Sequence, residues 1–329
     1  MEAEELIFLT GANSTIIDGK PTENSFAEFI ANKGLLAPNP NRNVRRLVCI
    51  DYSPRAGREI RLLGLRSEDC TLIRMEPSVV LPANFSHTVR NKFGKVITVG
   101  GTSSSQSHRV NWPMLWPNSA DIQAITQFER QDRIVLVNGN KISFVRGELY
   151  SLRRKAIRNF ANLDLFGTDW GSSILVRLVT AIRSFAYTVL SLKIPTVTSV
   201  HLWFRKYPNY IGQIQDKIGT MSKYKYALVI ENSAEYMSEK LMEALFAGCI
   251  PVYVGPDPRS FRIPGDLVVC AEPTLRSIRS SLDQASGWDI EEFHLRLKRF
   301  LSSAETRELW DHKVVYGKML EEILRSSQN

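Results

Sequence analysis

The residues best suited to chemistry are gathered between 231 and 240. Glu231-Asn232-Ser233 is followed, across a short spacer, by Tyr236 and then by Ser238-Glu239-Lys240. Ser238, ahead of an apolar helical pattern, is the natural N-cap, and Lys240 adds a full positive charge within the first turn. A helix start offers backbone N–H groups and the positive end of the dipole, so it favours an anion, and a diphosphate suits it. Glu239 is out of place for phosphate alone, but a carboxylate accepts two hydroxyl hydrogen bonds, as acidic residues do with ribose in dinucleotide sites. Together these residues point to a nucleoside diphosphate with its sugar. The plainer alternative is that Glu239 only complements the helix dipole, that Lys240 is a solvated surface residue, and that Asn and Ser serve a turn.

The elements that must hold this cluster can be read directly. Ala227–Ile230 is an apolar strand, Glu231–Ser238 a polar loop, and Leu241, Leu245 and Phe246 recur at helical spacing until Gly248 supplies a C-terminal cap. Ile250–Val254 reads as the next parallel strand, and a right-handed crossover brings loop and helix start to the carboxyl edge of the sheet.

Comparable β-rich runs occur at Leu6–Thr10, Leu47–Asp51, Thr71–Met75, Lys95–Val99, Arg133–Val137 and Tyr226–Ile230, with helical patterns at Glu148–Phe160 and Glu239–Ala247. Strands alternating with helices predict an α/β chain with parallel sheets. The segment NWPMLWPNS (111–119) marks an inter-domain connection at about 111–130, giving a first domain over 1–128 and a second over 129–329. No internal repeat is present. Residues 100–107 form a polar loop, and Ala304–Ser326 reads as an amphipathic last helix.

The 329 residues suffice for two domains, and 43% apolar with 23% charged residues is ordinary globular composition, excluding disorder. The net charge of +8 lies mostly in residues 1–164 and suits nucleic acid, an anionic membrane or a phosphorylated substrate. Zinc-finger spacing, RNP-type aromatics and a compact basic helix are all missing, which argues against a nucleic-acid partner. Cys49, Cys70, Cys249 and Cys270 lie far apart without CxxC spacing and are expected to be buried free thiols. No Asp-x-Asp pair, HExxH or GxSxG occurs, so zinc- and serine-hydrolase chemistry falls away and no metal clamp is expected.

Glu2, Glu4 and Glu5 stand where a signal peptide needs basic residues, so a cytoplasmic setting is expected. Residues 172–192 are the most lipid-like stretch, but Arg177 and Arg183 interrupt them. A membrane-surface or acceptor-side helix is expected there rather than a span, with peripheral contact to the anionic inner face of the membrane.

The array ENS, Tyr236, SEK and AGCIPVYVGP (224–256 as a whole) resembles the signature of the α1,3/1,4-fucosyltransferases, glycosyltransferase family 10, in a soluble bacterial-type form. Ser238 stands where the family usually has Thr, and the gap after Asn232 is short. LYSLRRKAIRNFANLDLFGTDW (149–170) is similar to the family's Arg-containing helix and its "Asp, two residues, Gly" strand. Arg154 best matches the pyrophosphate arginine, with Arg153 the alternative register. More weakly, residues 73–101 are similar to the family's strand and facing loop, with Glu76 where the catalytic carboxylate falls.

The resemblance covers roughly 45–100 and 130–275. It implies a GT-B fold, two Rossmann-like domains facing a cleft, and inverting transfer of fucose from GDP-fucose to a glycan hydroxyl in an α1,3-type linkage without a metal. By that resemblance Glu76 is the base, Arg154 and Lys240 stabilise the leaving diphosphate, and Asn232, Tyr236 and Glu239 bind sugar and ribose hydroxyls. Glu231, Ser238 and Asn138, the last just after the strand IVLV, complete the expected donor set.

Ordinary readings stand beside these: Glu76 as a strand-end glutamate and Arg154 as part of a solvated basic helix face. Glu231 and Glu239, eight apart, also satisfy the E-x7-E pattern of retaining GT-B enzymes, and AGCIPV occurs in exostosin-type transferases. A non-catalytic anion- or nucleic-acid-binding module is the reading from another class.

Overall fold

A computed structural model describes residues 6–17, 20–41, 43–101, 107–191, 193–196 and 199–325. Glu2, Glu4, Glu5, Leu192, Ser326 and most of the polar loop at 100–107 lie outside these. The chain divides into two compact units, residues 1–116 with 308–329, and residues 117–307.

In the first unit, β1 (Leu6–Thr10), β4 (Val44–Ile50), β5 (Cys70–Arg74), β6 (Lys95–Val99) and β7 (His108–Val110) form a five-stranded parallel sheet in that order. β2 (Ile16–Ile17) and β3 (Lys20–Pro21) make a small antiparallel pair beside it. Residues alternate between faces, as pleating requires: Ile7, Leu9, Val48, Ile50, Ile73 and Ile97 bury on one side, and Phe8, Leu47, Cys49, Leu72 and Val96 on the other.

The helix Pro54–Leu63 contributes Ala56 to the second face. The first face is covered by Phe26–Ala31 and by the chain's last helix, His312–Leu324, through Val315, Tyr316, Met319, Leu320 and Ile323. The C-terminal helix was expected in the second domain. Its apolar stripe instead completes the first unit's core, and the chain passes between the units at Trp116/Pro117 and again at Arg307/Glu308.

The expected single helix Ala304–Ser326 is also two, Ala304–Trp310 and His312–Leu324. Met114 wedges at the break: its N–H donates to Trp310 O at 2.8 Å and its carbonyl accepts from His312 N at 2.9 Å, while Asp311 caps the new helix through Lys313 N.

In the second unit, a six-stranded parallel sheet runs β10 (Tyr210–Gly212), β9 (Leu163–Phe166), β8 (Gln131–Val137), β11 (Tyr224–Ile230), β12 (Ile250–Val254), β13 (Val269–Cys270). All seven sequence-read strands exist, within three residues at their ends, and both sheets are parallel α/β as expected. Cys49, Cys70 and Cys249 are buried free thiols, and burial pushes the Cys249 thiol up to about 12. Cys270 departs from the expectation: it ends the two-residue edge strand β13 and is exposed.

Candidate functional site

The chain enters the second sheet at β8, lays β9 and β10 to one side, and returns to place β11 against β8 on the other. Strand order reverses between β8 and β11, and ligands of open α/β sheets bind beyond the carboxyl ends of the strands at such a point. The residues just beyond it are Asn138 to Asn140 and Glu231 to Ser233.

Gly167, after β9, makes the first of these loops possible. Its φ is +134°, and a Cβ there would come within 2.6 Å of the Asn138 carbonyl carbon, so only glycine allows this approach. The Trp170 indole N–H then donates to the Asn138 carbonyl at 2.6 Å. Asp164, the other half of that "Asp, two residues, Gly" pattern, works internally: it accepts from Arg133 and from the Tyr224 hydroxyl.

Glu231 is fully buried and folds the second loop onto itself. Its carboxylate accepts from the Ser238 amide at 3.0 Å and the Ser238 hydroxyl at 2.7 Å, with Lys240 Nζ 4.0 Å away. Burial raises the Glu231 carboxyl above its ordinary value, against the pull of Lys240 and Ser238.

Ser238 was expected to be the helix N-cap. Glu239 occupies that position on the seven-residue helix Lys240–Phe246 without a side-chain capping bond, while the Ser238 hydroxyl donates to Glu231, accepts from Lys240 Nζ at 2.8 Å and also accepts from the Lys240 amide at 3.4 Å. Lys240 Nζ also reaches Glu239 at 3.4 Å, and Lys217 lies 4.0 Å from Glu239 and 2.8 Å from Glu243. Burial would raise the Glu239 carboxyl, but Lys240 and Lys217 more than offset it and hold it below 4.5. Asn232 and Tyr236 are buried in the same loop.

The two arginines of the helix Tyr150–Asn159 do not form a solvated face; both are buried. Arg153 Nη2 donates to Ile230 O at 2.6 Å and lies 3.4 Å from Asn232 Oδ1, tying the helix to the loop after β11. Arg154 Nη1 donates to Lys141 O at 2.6 Å and packs over the Trp203 ring, beneath the loop after β8. Burial lowers both, Arg153 to about 10, so each stays cationic at neutral pH.

The loop after β8 also holds a residue that the sequence reading passed over. Asn140 is buried with neither end of its amide partnered, and Asn138 Oδ1 and the Nε of both arginines are likewise unpartnered. Buried polar atoms are ordinarily satisfied, so this group of donors and acceptors at the strand ends is suited to a polar ligand. The doublet of asparagines flanking Gly139 at a strand end was the available signal.

Glu76 lies in the first unit, two residues beyond β5 and half-buried. It is positioned by Asp51, also unforeseen, which follows β4 at a φ of +56° and is fully buried. Asp51 Oδ1 accepts from Met75 N at 2.9 Å, Glu76 N at 3.1 Å and Asn84 Nδ2 at 2.6 Å, and Oδ2 from Asn13 Nδ2 at 2.6 Å. The backbone at Glu76 is thereby fixed at the carboxyl edge of its own sheet. Among the described residues no group of three or more His, Cys, Asp or Glu side chains is gathered as a metal site.

With this architecture the chain has the GT-B fold. Over 99% of its length it is similar to an α1,3-fucosyltransferase solved with GDP, covering 93% of that chain at 12% identity with a TM-score of 0.53. It is equally similar to the HepE protein of Anabaena solved with UDP and glucose, over 97% of this chain and 99% of that one, at 8% identity and a TM-score of 0.55. A UDP-forming trehalose-phosphate synthase of Burkholderia xenovorans follows at 13% identity and 0.53, over 92% of this chain and 78% of that one. In sequence, 76 residues are 33% identical to a fucosyltransferase-like protein of Arabidopsis thaliana, a match spanning 22% of this chain and only 15% of that protein. No protein-family model matches the chain.

Proposed function

We propose that this chain is an inverting fucosyltransferase that transfers fucose from GDP-fucose to a glycan hydroxyl in an α1,3-type linkage. The observation that carries this reading is the linked set Glu231, Ser238, Lys240 and Glu239 beyond β11, with Arg153 and Arg154 buried beside the same strand ends. The short match to a fucosyltransferase-like protein supports it. The fold similarity extends equally to UDP-sugar enzymes and leaves the choice of donor to the site.

In this reading Lys240 and the arginines supply positive charge to the departing diphosphate, which removes the need for a metal. Glu239, Asn232 and Tyr236 face the ribose and sugar hydroxyls, Asn138 and Asn140 provide further amide partners, and Glu231 with Ser238 sets the loop. Glu76 takes the proton from the acceptor hydroxyl as that oxygen attacks the anomeric carbon.

The test is a calorimetric titration with GDP, UDP and GDP-fucose. Micromolar binding of GDP is expected, weakened about tenfold or more in Lys240→Ala and in Arg154→Ala. Glu76→Gln is expected to lower turnover by about 10²- to 10⁴-fold while leaving GDP affinity intact, and EDTA to leave turnover unchanged. Preference for UDP would pass the site to the retaining E-x7-E reading, and absence of nucleotide binding to a non-catalytic one.

A further inference from the structure

One helix of the second unit, Ile174–Leu190, carries its polarity the wrong way round for a soluble surface. The stripe it turns toward the unit is Arg177, Ala181, Ser184 and Thr188. Arg177 donates to the carbonyls of Trp203, Arg205 and Trp170, Ser184 Oγ to Ile142 O at 3.1 Å, and Ala181 packs with Ile142 and Trp203. These bonds fix the helix's rotation about its own axis. At 100° per residue, the arc from Ile174 through Leu178, Ile182, Leu175 and Val179 to Leu190 is then continuous, apolar and outward. Leu175 is 74% exposed and Leu190 80%, and of the 18 large exposed hydrophobic residues described in the chain, 11 fall between Ile174 and Ile194.

The charge around this face is equally one-sided. From Trp170 to Gln215 there are five Lys or Arg residues and no Asp or Glu. Arg177 is used internally. Arg183 borders the apolar arc, Lys193 follows the helix, and Arg205 and Lys206 lie beside its first turns, where the Arg205 carbonyl receives Arg177; all four are exposed.

We propose that this helix is a docking surface for an anionic lipid bilayer, lying in the plane of the interface with its outward arc among the acyl chains and the four basic residues among the phosphates. An apolar face ringed by one sign of charge is the pattern of such helices. Spanning is ruled out, since no described helix is long and apolar enough to cross a membrane. A second copy of the chain is a poorer occupant, because it would set the same positive segment against itself, whereas headgroup phosphates neutralise it. The inference stands independently of the donor site.

The test is flotation with vesicles of phosphatidylcholine alone and with about 30 mol% phosphatidylglycerol. The full chain is expected to float with the anionic vesicles, weakly with the neutral ones, and less at high salt. The double variant Leu178→Glu/Ile182→Glu is expected to lose at least about tenfold in partitioning, with unchanged circular dichroism and GDP titration. Should that variant fail to fold, Arg183→Glu/Lys206→Glu is expected to abolish the preference for anionic over neutral vesicles. Failure of the parent to float, or equal flotation by the folded apolar-face variant, overturns the proposal. So does a parent that light scattering shows to be a dimer which Leu178→Glu/Ile182→Glu makes monomeric without any vesicle binding.

Discussion

Each unit places a fully buried carboxylate directly after a central strand, Asp51 after β4 and Glu231 after β11, and the two are held differently. Asp51 has four donors, two backbone amides and two asparagine side chains, with none of them a cation. Glu231 accepts from the Ser238 amide and hydroxyl, with the Tyr253 hydroxyl also against it and a lysine 4.0 Å off. A buried charge is tolerable when its hydrogen-bonding capacity is filled, and costly otherwise. Asp51 therefore behaves as a fixed brace under the Glu76 segment. Glu231 instead lies beside a cation, its carboxyl is raised by burial, and the loop it holds is the one that carries the Lys240 ammonium.

Removing the fuller network should cost most. Asp51→Ala is expected to destabilise the protein by about 3 kcal/mol or more, because it strands four donors and places alanine at a left-handed φ. Asp51→Asn tolerates that φ but removes the charge and turns the oxygen facing the Asn13 amide into a donor, for a smaller loss of about 1–2 kcal/mol in denaturant melts. A loss from Asp51→Ala no larger than that of Glu231→Gln would erase the distinction.

Glu231→Gln should cost about 1 kcal/mol or less at neutral pH, since the amide still accepts from Ser238 N and escapes the burial penalty on the charge. The sign with pH follows from the raised carboxyl: the folded state holds its proton more tightly than the unfolded one. The parent's Glu231 term favours folding at low pH and is lost as pH rises through the folded value, so the variant's relative cost should grow on acidification. Urea melts at several pH values measure it.

The smallest effect concerns His294, which packs the helix Ile290–Ser302 against the Gly248 carbonyl at 2.9 Å. Burial lowers its pKa from 6.5 in spite of that hydrogen bond. Below 6.5 the unfolded chain binds the proton more readily, so stability falls on acidification, and His294→Gln should flatten that part of the curve by a fraction of about 1 kcal/mol.

Much of this was readable in the residues. Strand runs such as Leu6–Thr10 and Ile250–Val254 coincide with strands end to end, because short β-branched runs bounded by turn residues admit few alternatives. The cluster from Glu231 to Lys240 was legible because its members are close in sequence. Asp51 and Asn140 were not, since their significance lies in donors and gaps contributed from far along the chain, such as Asn13 and Asn84. The stretch Ala304–Ser326 read as amphipathic, but amphipathicity does not name the surface that an apolar face will meet, here through Val315, Met319 and Leu320. The outward arc of Ile174–Leu190 was anticipated as a surface helix, while its rotation needed the Arg177 and Ser184 bonds.

The placement of His312–Leu324 also has a consequence in time. From Trp116 to His312 the ribosome must add nearly 200 residues, which takes on the order of 10–40 s at about 5–20 residues per second. Throughout that interval the sheet face bearing Ile7, Val48, Ile73 and Ile97 lacks the cover of Val315, Tyr316, Met319, Leu320 and Ile323, while every residue from 117 to 307 precedes the missing helix. The second unit can therefore mature first, and the unit begun earliest finishes last, its apolar face incompletely covered until His312–Leu324 arrives.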